Sequence, residues 1–280
     1  MTAEQNLERI VAAHYDRDDL FAAIESALAA MGKSMAALKP GDLAAVDEFH
    51  IGGRPATIHF ADRLGFAPGA HLLDIGCGIG GASRYFTAER GCHVTGIDLT
   101  EGYCDVARRL ADLVGLSART DYRQASALDL PFDAAAFDGA YMLHVGMNIA
   151  DKDRLYREVR RVLKPGAVFG IYDVLQGPGG APYFPVPWAA GAETSFLITA
   201  EALQDLLRRS GFEIAGIEDR SAFGMATFET MRQRIAGKGG PSPLGLHLLM
   251  GKDAPVKIAN MIRSLQERRI APTEVIARAV

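Results

Sequence analysis

The sequence predicts an α/β domain with a mostly parallel sheet and helices on both faces. Three observations carry this. Short apolar runs alternate with segments of helical periodicity from residue 71 to about residue 220. The first run ends in a glycine-rich turn, Gly76-Cys77-Gly78-Ile79-Gly80-Gly81, of the kind that joins a buried strand to a helix. The chain has 280 residues, 49% of them hydrophobic, enough for the core of one large α/β domain.

Residues 4–37 read as helix. Leu7, Ile10, Val11 and Tyr15 recur at helical spacing, as do Leu20, Ile24 and Leu28. Lys39-Pro40-Gly41 breaks the pattern, the loop Asp47–Gly53 follows, and residues 54–65 form a further helix. Strands are expected at 71–75, 93–98, 119–123, 137–142 and 168–174. Helices lie between them, running to about residue 89, over 102–115 and over 151–163, the last stopped by Lys164-Pro165-Gly166. Residues 176–191 are rich in Gly, Pro and aromatics and form a long loop. Thr199 caps a helix over 199–210 that Gly211 stops. A strand at 212–218, helices near 225–236 and 254–268, and a last strand at 273–278 complete the pattern; Gly237–Pro241 is a linker. The expected division is a helical cap over 1–66 and an α/β domain over 67–280, with lid elements near 176–198 and 223–268.

The net charge is −4, with no run of Lys or Arg, so nothing points to nucleic acid. Cys77, Cys92 and Cys104 are odd in number and lack metal-ligand or disulfide spacing, which fits a reducing, cytoplasmic setting and predicts no metal. No apolar run is long enough to span a bilayer, and residues 1–20 lack a signal-peptide core. The expected partner is a small molecule; oligomeric state is open, a homodimer included.

Gly76-x-Gly78-x-x-Gly81, with the acidic Asp98 at the end of the second strand, suits a dinucleotide as well as S-adenosylmethionine. Asp74 tips the balance. A carboxylate just before the loop can hold the ammonium of a methionine moiety, whereas it repels a pyrophosphate. A Tyr-x-x-x-Lys pair, used by one common dehydrogenase type, is missing. Ala125-Ser126-Ala127-Leu128-Asp129-Leu130-Pro131-Phe132 and Leu163-Lys164-Pro165-Gly166 add two further signals.

In order and spacing these segments resemble the motifs of class I S-adenosylmethionine-dependent methyltransferases, over roughly residues 70–220. The resemblance implies a Rossmann-like class I methyltransferase fold with a seven-stranded, mostly parallel sheet. It implies S-adenosyl-L-methionine as cofactor, with S-adenosyl-L-homocysteine as product. The cofactor would be held by Asp74, Gly76, Cys77, Gly78, Gly80, Asp98, Leu99, Ser126, Ala127, Leu143 and His144. Members of the family often carry Asp where this chain has Ser126. Within the class, His50-Ile51-Gly52-Gly53, His144–Ile149 and Phe184-Pro185-Val186-Pro187-Trp188 are similar to the sarcosine/dimethylglycine N-methyltransferase-like subgroup. That subgroup implies a small amine as acceptor. A carbon, oxygen or sulfur acceptor on a quinol, phenol, prenyl compound or thioether is the rival, and a non-catalytic cofactor-binding protein is the alternative of another class.

Methyl transfer needs the acceptor in line with the sulfonium and, for a phenol or carbon acid, a base. His144, after the fourth strand, is the expected base or an orienting residue. His50, in a loop able to close over the cofactor, and Tyr15, on the first helix, are the other catalytic candidates, against backbone-bonded loop and core roles. Arg54 either pairs with an acidic group of a ligand or caps its helix. For the acceptor the candidates are Asn148, Tyr183, Phe184, Trp188 and His247, with Met225, Phe228 and Met231 along the same side. The aromatics suit either a cation cage or an apolar wall.

Overall fold

Five strands line up in parallel, the central ones as apolar runs buried on both faces, and helices join each to the next except between the third and fourth, where a loop does so. They are β1 (His71–Ile75), β2 (His93–Asp98), β3 (Thr120–Gln124), β4 (Phe137–Leu143) and β5 (Leu163–Gln176). Two more strands, β6 (Phe212–Asp219) and β7 (Ile270–Ala279), complete a seven-stranded sheet in the order β3-β2-β1-β4-β5-β7-β6. β7 runs antiparallel to both β5 and β6. The computed structural model describes residues 2–17, 19–238 and 242–280, with the side chains of 234–238 excepted. Gly239, Gly240 and Pro241 of the expected linker lie outside the described residues.

Four helices precede the sheet: α1 (Ala3–Tyr15), α2 (Leu20–Ala30), the single turn α3 (Ala44–Asp47) and α4 (Gly53–Leu64). Within the sheet come α5 (Gly81–Arg90), α6 (Glu101–Leu113), α7 (Lys152–Val162) and α8 (Ala200–Arg209). After β6 come α9 (Ser221–Lys238), the short α10 (His247–Met250) and α11 (Ala254–Gln266). Helix α7 shows how the pattern works: Leu155, Tyr156, Val159 and Val162 form one buried stripe. With Leu203 and Leu207 of α8 they cover one face of the sheet. Phe60 and Leu64 of α4 and Phe86 of α5 cover the other.

Two expectations change. The stretch 4–37 is not one helix. Asp16 turns extended after α1, and α2 restarts behind Asp19, whose φ is +54°. The two apolar stripes have different targets. Val11 and Tyr15 look toward the cleft at the strand ends, while Ile24 and Leu28 join Val106 and Leu110 of α6 in a separate core. The second change concerns Lys164-Pro165-Gly166, which does not separate helix from strand. α7 ends at Val162, and β5 already begins at Leu163, paired with Phe137. The exposed Lys164–Gly166 segment sits where the β4–β5 register shifts, which is a place a strand accepts proline. The other elements fall within a few residues of expectation, and Thr199 caps α8 by accepting from the Ala202 N–H at 3.2 Å.

Helix α5 approaches α3 closely. A Cβ on Gly81 would lie 2.4 Å from the backbone oxygen of Asp47, which no side-chain rotation relieves. Gly81→Ala is therefore expected to cost about 1–3 kcal/mol, as overpacking does. Urea unfolding checks it: the midpoint falls with an unchanged slope, and an unchanged midpoint refutes the tight contact.

Candidate active site

Strand order reverses between β1 and β4, and this is where a parallel sheet leaves a crevice beyond its carboxyl ends. A cavity of about 480 Å3 lies there. On its sheet side it is lined by Asp74, Gly76, Cys77, Gly78, Asp98, Leu99, Ser126, Ala127, Leu143 and His144. Gly80 does not line it. That glycine is the N-cap of α5, and its missing Cβ makes room for the Tyr122 ring.

The backbone of the glycine loop stays low. Gly76 has φ +70°, and a Cβ there would strike Val145 at 2.4 Å. Gly78 (φ +54°) faces open space and donates its N–H to Asp98 Oδ2 at 2.9 Å. Asp98 Oδ1 takes the Thr100 N–H at 2.9 Å. Burial raises the Asp98 pKa, against these hydrogen bonds. Asp74 is 2% exposed and accepts from Ser83 Oγ at 2.6 Å. Burial pushes it up to about 7, and the nearby Asp98 charge pushes the same way. Tyr103, from the first turn of α6, also lines the cavity; its buried hydroxyl has no hydrogen-bond partner among the described residues. Two carboxylates, a free hydroxyl and a bare glycine backbone suit a ligand with an ammonium group and a diol. The Cys77 thiol is pushed well above its ordinary value by burial, so it is a lining group and no nucleophile.

His144 sits at φ +56°, sparsely populated backbone for a non-glycine residue. Its N–H donates to the Tyr172 carbonyl at 2.7 Å. Nδ1 lies 3.1 Å from the same oxygen, and Nε2 accepts the Ile51 N–H at 3.2 Å. These partners assign the neutral Nδ1–H tautomer. Burial, with His50 close by, brings its pKa down to about 3. Both ring nitrogens are thus spent on backbone, which corrects the expectation of His144 as a base: the ring ties the His50 loop to the ends of β4 and β5.

His50 has a different environment. Nε2 lies 3.0 Å from Glu48 Oε2 and 3.0 Å from Thr57 Oγ1, and Thr57 donates to the same carboxylate at 2.5 Å. Arg54 holds the other Glu48 oxygen at 2.5 Å, so Arg54 serves this buried cluster and does not reach the cavity. Tyr15 donates to Asn148 Oδ1 at 2.8 Å. Asn148 in turn donates to the carbonyls of Trp188 at 2.8 Å and Thr194 at 2.9 Å. It is a junction between α1 and the loop after β5. The cap of α7 is Asp151, which accepts from Arg154 N.

The acceptor candidates divide. Asn148, Trp188, Phe228 and Met231 line the cavity. Tyr183, Phe184, Met225 and His247 do not. Tyr183 lies between Arg263 and Arg269, 4.0 and 4.2 Å from its ring centre, and donates to Glu267. Phe184 and Met225 pack beneath the loop with Trp188, and His247 is exposed. Sequence reasoning missed Phe49, Tyr103, Glu4 and Glu8, and Ile258 and Met261 of the apolar wall, whose Leu246, Leu249 and Met250 belong to the segment around His247 that the sequence set on the acceptor side. Phe49 borders a chosen histidine, and Tyr103 opens the helix after Asp98; the others carried no signal beyond apolar or acidic helix periodicity.

One cluster away from the cavity has the geometry of a metal site. His59, Glu218 and Glu274 bring ligand atoms within 4.8 Å of one another. Arg63 pairs with Glu274 at 2.7 Å and Arg220 pairs with Glu218 at 2.5 Å, so two guanidinium groups already supply the positive charge.

The depressed His144 pKa sets a pH dependence. Below pH 6.5 the unfolded chain binds a proton that the folded chain refuses. The contribution of a neutral His144 is complete above pH 6.5 and is lost as pH falls toward 3, about 2 kcal/mol at pH 5. Asp74 acts with the opposite sign but is common to both proteins in a comparison. In His144→Gln, the loss of stability between pH 7.5 and pH 5 by urea titration is expected to shrink by about that amount; equal losses refute it.

Residues 73–171 match the family described as "Methyltransferase domain". A sterol 24-C-methyltransferase of Gibberella zeae is 36% identical over 117 residues, which are 42% of this chain and 31% of that protein. This chain thus aligns with about a third of that relative's length. An O-methyltransferase of Pyrenophora dematioidea is 28% identical over 212 residues, 70% of this chain and 79% of that one. The crystal structure of the [4+2]-cyclase SpnF superposes with a TM-score of 0.64 at 27% identity, covering 80% of each chain. The fold is that of the class I methyltransferases, and the match to the methyltransferase domain spans β1 to the middle of β5.

Proposed function

We propose that the protein transfers the methyl group of S-adenosylmethionine to an apolar small molecule, at an oxygen or carbon atom. The observation that carries the acceptor class is the far wall of the cavity. Phe228 and Met231 of α9, Leu249 and Met250 of α10, and Ile258 and Met261 of α11 face the strand ends without a charged side chain among them. The relatives named as sterol C- and O-methyltransferases support the same class. The aromatics that suited a cage for an amine separate instead: Trp188 lines the cavity, while Tyr183 and Phe184 do not.

When bound, S-adenosylmethionine supplies an electrophilic methyl on a sulfonium. The chain does the rest. Asp74 would hold the ammonium group, and Asp98 the ribose hydroxyls, at the strand ends, where Asp74 is buried and Asp98 half-buried. The apolar wall excludes water and sets the acceptor in line. For an acidic hydroxyl or carbon, His50 is the group we assign to take the proton. It lines the cavity; Nε2 is held by Glu48, and Nδ1, in only a long 3.4 Å contact with the Ile51 carbonyl, is the nitrogen left to take the proton.

Transfer of labelled methyl from S-adenosylmethionine to two acceptor pools tests the reading. One pool holds glycine derivatives and ethanolamines; the other holds phenols, quinols and prenyl compounds. Label in the organic-extractable product is expected, and label confined to a water-soluble cation overturns the apolar acceptor. With a hydroxyl acceptor, His50→Gln is expected to lower kcat roughly 100-fold at unchanged affinity for S-adenosylhomocysteine. A kcat within a few-fold of wild type removes His50 from proton transfer.

A further inference from the structure

Helix α1 lies along the cavity, presenting Glu4, Leu7, Glu8, Val11 and Tyr15 to it, residues three and four apart on one face. Two polar ties fix its ends. Arg154 pairs with Glu4 at 3.0 Å, and Tyr15 donates to Asn148 at 2.8 Å. Between them stands Glu8, whose carboxylate accepts from the Ser126 hydroxyl. The same Ser126 oxygen takes the Leu128 N–H at 3.0 Å. Ser126 is thereby committed in both directions. Among the described residues, the serine is the one polar contact of the Glu8 side chain, and both residues line the cavity.

This position is chemically defined by its neighbours. Asp98 ends β2, and Ser126 follows β3, the next strand outward. Leu99, Ala127 and Glu8 line the same cavity as Asp98, so a nucleoside with its ribose on Asp98 would find them on the side of its base. Adenine offers an exocyclic amino donor on its edge. Ser126 Oγ keeps one neutral lone pair beside the Leu128 N–H, whereas the charged Glu8 carboxylate next to it accepts several hydrogen bonds at once and more strongly. We propose that Glu8 of α1 is the acceptor for the adenine amino group, so that the base is recognised by the helix that covers it. The inference rests on the cofactor reading above. It makes adenine recognition and the packing of α1 one event: the contact exists only while α1 lies across the cleft.

Calorimetry with S-adenosylhomocysteine and its 6-deamino analogue, in which hydrogen replaces the amino group, tests this without turnover. A hydrogen bond to a charged acceptor predicts that wild type prefers the amino compound about 10-fold or more. In Glu8→Ala, which keeps a strong helix former, the ratio is expected to fall to near one. In Glu8→Gln, which keeps a neutral acceptor, an intermediate ratio is expected. A preference that survives in Glu8→Ala overturns the assignment and leaves the cofactor reading standing. Wild type that binds neither compound overturns both.

Discussion

The structure turns on two carboxylates at the ends of adjacent parallel strands, Asp74 buried and Asp98 half-buried. Asp74 and Asp98 are set by the β1–β2 register, and each stands where the sheet stops and backbone N–H groups begin. Taking a carboxylate from water is costly unless hydrogen bonds or a cation offset the loss. For Asp98 the Gly78 and Thr100 amides do this. Asp74 has less help and is pushed up to about 7. The glycines follow from the same constraint. Val145 crosses directly above Gly76, and only a residue without Cβ leaves the loop low enough to pass beneath it. The positions of α5, α3 and the cavity floor then follow, because the loop leads straight into Gly81 and its contact with Asp47.

On that floor the molecule builds a cover from segments distant in sequence. Asn148 shows how the parts are coupled. One buried amide joins Tyr15 of α1, the Trp188 carbonyl and the Thr194 carbonyl. His144 does the same for the His50 loop, β4 and β5. Each is a buried polar group with its capacity nearly filled, so displacing one cover segment strands partners on two others. The cover is polar where it meets the sheet and apolar where it faces the acceptor. This division suits an enzyme that anchors one ligand by charge and accommodates another by shape.

The cofactor half of this arrangement was readable in the sequence because its determinants are local. Strand, glycine turn, helix and acidic strand end lie within Leu72–Asp98, and their spacing forces their geometry. The acceptor half was not. Its wall combines α1, α9, α10 and α11 with Trp188, and nothing in an amphipathic period says which helix a stripe will meet. Tyr183 illustrates the loss: its neighbours in sequence suited either a cation cage or an apolar wall, yet Arg263 and Arg269, some eighty residues later, hold it away from the cavity. For His144 the sequence left base and orienting residue both open, for a different reason. Its position after β4 was right, but whether a histidine is free to take a proton depends on partners of its ring nitrogens, here the backbones of Ile51 and Tyr172. Glu8 carried no signal at all, since an acidic residue in a first helix reads as solvated.

The division also bears on what the fold leaves open. The solved structure of a cyclase shares this architecture across 80% of both chains. A cofactor floor of this shape therefore does not by itself select the reaction, and selection must reside in the cover. In this chain the cover offers one imidazole backed by a carboxylate, His50 on Glu48, and otherwise apolar groups on the acceptor side. Thr57 and Arg54 are arranged around the same carboxylate. On the reading proposed above, that cluster holds the His50 ring in place at the cavity edge.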